Sequence, residues 1–307
     1  MIPWDKLERI LVVRTDHIGD LVCSTPLLRT LRQRCPGARI TAFVPRAAAD
    51  VLRGNEAVDQ IVTELPTEIP DLAIALAPRS KAFKLVKASG APIRAGYLYP
   101  ERPLVKLLTR WWLTERVLMP VRSLEQVPHE VLQLSRFGQQ LGLAPSEADL
   151  EIPISAEDQQ WGHEQAQARV GLHLSPGWLT HGWQLNDLID LCRALPQPPL
   201  ITCGPAEREL AALLRNSGLQ LFENLSLKRW AALLGSCSVV VSPDTGAVHV
   251  AAALRRPVVV CYQPEHFTLC SQQWHPWHVP QWNLRKGTPA DTIAAVRLAV
   301  EEARQGA

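Results

Sequence analysis

The chain has 307 residues, 47% hydrophobic and 20% charged, a make-up with room for two cores that excludes a disordered protein. Its formal net charge is +2, with 20 Lys and Arg against 16 Asp and Glu in residues 1–150 and 12 against 14 thereafter, too mild a surplus for a nucleic-acid binder. Seven cysteines with no Cys-x-x-Cys pair exclude a disulfide framework or a zinc ribbon and fit a reducing compartment. The opening stretch MIPWDKLERILVVRTD lacks the pattern of a signal peptide. No apolar run approaches the roughly 20 residues of a membrane span, so the expected location is the cytoplasm.

In chain order, RILVVR (Arg9 to Arg14) reads as a buried strand and GDLVCSTPLLRTLRQRC (Gly19 to Cys35) as a helical pattern. RITAFV (Arg39 to Val44) is strand again, followed by a helical stretch and by DQIVTE and DLAIAL. After LEIPIS (Leu150 to Ser155) the alternation restarts, with RVGLHLS, PLITCG, CSVVVS and PVVVCY as strands. Between them QLNDLIDLCRAL, AERELAALLRNSG, SLKRWAALLGS and GAVHVAAALR are helical. Strands that are apolar throughout and separated by helices mean parallel sheets covered on both faces. Two series imply two doubly wound α/β domains, residues 1–155 and 156–307. The last pattern, PADTIAAVRLAVEEARQ, is expected to pack back across the join.

In open parallel sheets, ligands bind beyond the carboxyl ends of the strands, where helix N-termini also point. Three loops stand there: RTDHIGD (Arg14 to Asp20), LSPGWLTHGW (Leu174 to Trp183) and SPDTGAVH (Ser242 to His249). No G-x-G-x-x-G follows the first strand, and the P-loop and the G-x-S-x-G elbow are also missing. No metal-ligand spacing is present. His275 and His278 in QPEHFTLCSQQWHPWHVPQW have no further ligand set.

Four stretches carry a resemblance to a known family. ILVVRTDHIGDLVCSTPLLRTLRQRCPGARI, LAPRSKAFKLVKASGAPIRAGY, LSPGWLTHGWQLNDLIDLC and SPDTGAVHVAAALRRPVVVCY together resemble glycosyltransferase family 9, the ADP-heptose-dependent heptosyltransferases of lipopolysaccharide core synthesis. The last stretch, with its Asp-Thr-Gly-x-x-His, is the most specific. The resemblance implies the GT-B fold, two Rossmann-like domains facing across a cleft, with acceptor bound by the first and nucleotide sugar by the second. It implies inverting, metal-independent transfer of heptose from ADP-heptose to a core sugar hydroxyl, with no cofactor. The alternatives are a relative that uses another nucleotide sugar or glycosylates a protein, and a non-catalytic sugar-nucleotide sensor.

Such chemistry needs a base for the acceptor hydroxyl and a home for the charge on the departing diphosphate. Asp20, at a helix start, matches the family's catalytic aspartate, with Asp16 beside it reading as a turn or cap residue. On the donor side, Gly246 lets backbone approach a phosphate and Thr245 offers a hydroxyl and an N–H. Asp244 suits a sugar hydroxyl or fixes its loop, and His249 donates to phosphate or holds the loop. Ser175 and Thr180 are further hydroxyls. His181 departs from the family, which carries a lysine just before the tryptophan matching Trp183. A histidine of ordinary pKa, about 6.5, is only partly charged at neutral pH, so His181 serves as a protonated or neutral donor, another cation such as Lys228 takes over, or activity is weak or the donor differs. Trp183 reads as packing.

On the acceptor side, Arg79, Lys81, Lys84 and Lys87 cluster, and Lys106, Arg110 and Arg116 interleave with Trp111 and Trp112. That suits an anionic glycolipid and peripheral contact with the inner face of the inner membrane. A solvated basic face over a core stripe accounts for it equally well.

Overall fold

The computed structural model describes residues 2–99, 107, 109–120 and 126–306, and the chain divides into two units, Met1–Pro153 and Ile154–Ala307. In the first, strands β1 (Arg9–Val13), β2 (Arg39–Phe43), β3 (Gln60–Val62), β4 (Leu72–Ala75), β5 (Ile93–Leu98) and β6 (Glu115–Leu118) form one sheet in the order β3-β2-β1-β4-β5-β6. Every pairing is parallel, with Val13 set beside Phe43 and Ala75. The central strands β1 and β4 are buried along nearly their whole length, which is why they are written as unbroken apolar runs. Among the described residues the α-helices of this unit are α1 (Ile18–Val22), α2 (Thr25–Arg34), α3 (Ala49–Leu52), α4 (Ser80–Ala88) and α5 (Glu130–Gln140). Helix α4 turns Ala82, Phe83 and Val86 onto Leu11, Val13, Ala73 and Ala75 of the sheet and leaves its lysines exposed.

The second unit repeats the plan. Strands β7 (Gly171–His173), β8 (Leu200–Thr202), β9 (Gln220–Phe222), β10 (Val240–Pro243), β11 (Val258–Tyr262) and β12 (Gln281–Arg285) lie in the order β12-β11-β10-β7-β8-β9, again all parallel. Counted from each unit's own first strand, both sheets run 3-2-1-4-5-6, the Rossmann order. The helices are α6 (Ala156–Ala166), α7 (Leu185–Ala194), α8 (Arg208–Leu214), α9 (Leu227–Gly235), α10 (Gly246–Ala253), α11 (Phe267–Gln273) and α12 (Pro289–Gln305). Helices α6 and α9 meet at backbone distance, since a Cβ on Gly162 would stand 2.5 Å from the Ala232 carbonyl oxygen.

Helix α12 gives Val296, Ala299, Val300 and Ala303 to the second unit's own core beside Val241 and Val259. One feature departs from the sequence reading. Strands β5, β6, β9 and β12 are additions. β6, β9 and β12 are half-exposed and so lack a continuous apolar run, and Arg94 and Gly96 interrupt the pattern of β5.

Candidate active site

In each sheet the chain leaves β1 or β7 in one direction and returns on the other side through β4 or β10. The carboxyl ends of these neighbours are the switch point where a doubly wound sheet opens a crevice. The loops singled out from the sequence emerge there.

In the first unit the crevice is built around Arg14, the residue after β1, whose side chain is 2% exposed. Its Nη1 donates to the Leu76 carbonyl at the end of β4. Its Nη2 donates to Asp20 Oδ1 at 3.1 Å and to Glu130 Oε1 at 3.0 Å, and its Nε lies 3.5 Å from Asp16 Oδ2. Burial works against the guanidinium, but Glu130, Asp20 and Asp16 outweigh it and hold its pKa above the ordinary value. Burial likewise pushes the Asp16 carboxyl above its usual range, despite Arg14. Asp20 belongs to the first turn of α1, where Oδ2 accepts the His17 backbone N–H at 3.0 Å. A backbone N–H at the helix start and a buried cation thus fix both its oxygens, while its side chain keeps 17% exposure. Arg79 reaches the same cluster, its Nε 2.9 Å from Asp16 Oδ1. Lys81 and Lys84 stand on the exposed face of α4, and the Lys84 ammonium lies 5.8 Å from the Trp112 ring centre. Arg110, Trp111 and Arg116 are exposed too; Lys106 falls outside the described residues.

In the second unit the strand order β12-β11-β10-β7 sets four carboxyl ends side by side, and the turn after β7 contacts residues from all of them. Ser175 opens the turn and its Oγ accepts the Gly177 N–H at 3.2 Å. A short 3-10 helix follows over Pro176–Leu179. A Cβ on Gly177 would lie 3.4 Å from Pro243 Cβ, at the end of β10, so a larger residue would crowd the next loop. Thr180 Oγ1 lies within hydrogen-bond distance of the Gly177 carbonyl at 3.0 Å and of Gln263 Oε1, just past β11, at 2.8 Å. Its hydroxyl is therefore engaged inside the turn. His181 adopts a left-handed φ of 55° ahead of Gly182 at φ 82°, and its Nε2 sits 3.1 Å from Glu265 Oε2. The Glu265 carboxylate is held below its ordinary range by its own backbone N–H, then by His181 and His266. After β10, Thr245 caps α10, accepting the Ala247 N–H at 3.3 Å and sharing a 2.9 Å bond with Ser242 Oγ. Asp244 is exposed, Gly246 half-buried, and Asp244 hydrogen-bonds Cys270 of α11. His249 is buried, 4% exposed, with its ring edge toward Trp274 at 6.1 Å. Trp183 is a core residue, packed against Trp178. Lys228 is half-buried in the first turn of α9.

Geometry thus gathers Asp16, Asp20 and Arg79 at one carboxyl edge and Ser175, Thr180, Thr245 and Gly246 at the other. The sequence reading missed Arg14, Glu130, Gln263 and Lys286. Arg14 was legible in principle, since an arginine directly after a buried strand needs a charged partner. Glu130, Gln263 and Lys286 arrive from distant segments and carried no local signal. Among the described residues, no group of three or more His, Cys, Asp or Glu side chains gathers to hold a metal, and no helix is long and apolar enough to cross a membrane.

Paired Rossmann-type units of one strand order are the make-up of the GT-B class of sugar transferases, and solved members superpose on the chain. A family 9 glycosyltransferase from Veillonella parvula does so with a TM-score of 0.76 at 17% identity, over 98% of this chain and 99% of that one. The ADP-heptose lipopolysaccharide heptosyltransferase II of E. coli does so with a TM-score of 0.69 at 21% identity, over 97% and 100%. By sequence, a candidate glycosyltransferase of Haemophilus influenzae is 23% identical over 305 residues, 88% of this chain and 86% of the relative. The model of glycosyltransferase family 9 (heptosyltransferase) matches residues 60–291, and the chain belongs to that family. The matched span holds the 174–183 and 242–249 loops; the Gly-Asp loop precedes it.

Proposed function

We propose that this glycosyltransferase moves heptose from ADP-heptose to a sugar hydroxyl of the lipopolysaccharide core, with inversion and without a metal, using Asp20 as base. The observation that carries the reading is the Asp20 carboxylate, fixed at the carboxyl end of β1 by Arg14 and the His17 N–H yet still open to solvent. In this reading the acceptor O–H passes its proton to Asp20 and its oxygen attacks the anomeric carbon opposite the diphosphate. The bond from that carbon to the phosphate oxygen breaks, and its electron pair leaves with the nucleoside diphosphate. The first-turn amides of α10, with Thr245 and Ser175, receive the developing phosphate charge. Asp244 and His249 line or brace that loop, and His181 supplies a donor.

Donor identity is supported by the likeness to the E. coli protein, which is an ADP-heptose lipopolysaccharide heptosyltransferase. The acceptor is proposed to be an anionic glycolipid met by Arg79, Lys81 and Lys84. Trp111, 74% exposed, with Leu107 and Leu118, 56% and 52% exposed, would rest on a membrane surface beside Arg110 and Arg116, at the cytoplasmic face. A second reading, another nucleotide sugar as donor, is favoured by one observation: His181 stands paired with Glu265 where the family expects a lysine.

Turnover and thermal-shift measurements with ADP-, UDP-, GDP- and CDP-sugars, repeated with EDTA, test the proposal. A preference for ADP-heptose with activity unchanged by the chelator is expected. Preference for another nucleotide would remove the donor assignment, and loss of activity with EDTA would remove the metal-free step.

A further inference from the structure

Lys286, the residue after β12, has a side chain that belongs to the turn after β7. Its Nζ lies 2.9 Å from the Gly177 carbonyl oxygen, 2.6 Å from that of Trp178, 3.0 Å from that of Thr180 and 3.1 Å from Thr180 Oγ1. Only 2% of the residue is exposed. The Gly177 and Trp178 carbonyls of the 3-10 helix, and that of Thr180 just beyond it, which also accepts the Trp183 N–H at 3.3 Å, thus converge on one ammonium. Gln263 Nε2 adds a bond to the Gly177 carbonyl at 2.8 Å. The ammonium also lies 4.9 Å from the Trp183 ring centre.

We propose that Lys286 is a positioning residue for donor binding: its ammonium clamps the Ser175–Thr180 turn over the carboxyl edge and so fixes the surface that meets the diphosphate. This rests on the reading of the second unit as the nucleotide-sugar site. Lys286 is a brace rather than a phosphate ligand, since three backbone carbonyls and a hydroxyl already crowd its three N–H groups.

The clamp depends on protonation. Burial pulls the Lys286 pKa down from 10.5 to about 8. Below that pH three N–H donors serve the turn; above it two remain and a lone pair faces an oxygen. The turn and Gln263 present it with neutral groups. The Cys261 thiol of β11 also faces it, and burial pushes that thiol up to about 12, leaving it uncharged over the same range. A phosphate monoester has its second pKa at about 6, so ADP is already largely ionised at pH 7.5 and changes little above it.

Two measurements test the clamp. In hydrogen exchange, Lys286→Met should speed exchange of residues 176–183 at least tenfold, with the rest of the unit unchanged; an unchanged rate there would overturn the proposal. In titrations, ADP affinity of the wild type should fall at least fivefold from pH 7.5 to 9.5, and Lys286→Met should bind ADP at least tenfold more weakly at pH 7.5 with a flat profile. Wild-type affinity that is level with pH would also overturn it. Gln263→Leu removes the companion donor to Gly177 and should move both readouts the same way by a smaller factor, which covers a misfolded Lys286 variant. If the wild type binds none of ADP, UDP, GDP and CDP, the proposed function fails, and the exchange experiment alone decides whether the clamp exists.

Discussion

The two carboxyl edges share a topology and differ in electrostatics. At the first, three carboxylates (Asp16, Asp20 and Glu130) surround one buried guanidinium, with Arg79 at the border. At the second, hydroxyls and helix-start amides line the loops beside Asp244 and the His181–Glu265 pair, and the ammonium of Lys286 is buried under the turn. The Rossmann order supplies a crevice and says nothing of its polarity. An edge rich in fixed carboxylate can accept a proton; one built of N–H and O–H groups can receive an anion. Two copies of one fold are thereby suited to the two halves of a displacement reaction.

The sharpest way to break this comparison is Asp20→Asn. The amide keeps the shape and loses the basicity, so kcat should fall by about 10²–10⁴-fold while ADP affinity, which the proposal assigns to the other edge, stays at the wild-type value. Single-turnover kinetics beside ADP titration read both quantities. A variant that transfers sugar at the wild-type rate would remove Asp20 as base, and a matching loss of ADP affinity would mean that the two edges do not divide the work.

Arg14→Met is next in size. It leaves Asp16, Asp20 and Glu130 clustered without their cation, and stranding buried charge of this kind costs about 3–5 kcal/mol. Urea unfolding at pH 7 measures it. Without the guanidinium, the folded variant holds its carboxylate protons more tightly than the unfolded chain does. It therefore binds more protons as pH falls, and the gap to wild type should narrow toward acid. A gap that stays constant with pH would instead show that Arg14 serves chiefly through its bond to the Leu76 carbonyl.

What the sequence disclosed follows the same division. The strands and three loops were legible because β1, β4, β10 and β11 are apolar along their length and end in Gly, Asp and Thr at helix starts. Thr245 stood out as a hydroxyl at a helix start, and its partner, the Ala247 amide, is only two residues away. The charge supports were not legible. Glu130 meets Arg14 across 116 residues and Lys286 meets Trp178 across 108; no local pattern encodes contacts that only sheet order creates. Thr180 was read as a free hydroxyl for the same reason, since Gln263, 83 residues on, engages it.

The smallest effect is expected at His181, where the comparison can be sharpened. His181→Lys places a charge at pH 8 that a histidine in general lacks, but the site is half open to water and already faces Glu265. An exposed charge of this kind is worth roughly 0.2–1 kcal/mol, so donor KM at pH 8 should fall by no more than about fivefold. Adding Glu265→Gln should enlarge the gain, because the lysine then has no carboxylate to answer. A donor KM that rises tenfold or more in the single variant would show that the imidazole–Glu265 pair shapes the left-handed bend at 181. The second edge would then rest on an ion pair as the first does, and the contrast between them would narrow to the sign of the charge each leaves facing its ligand.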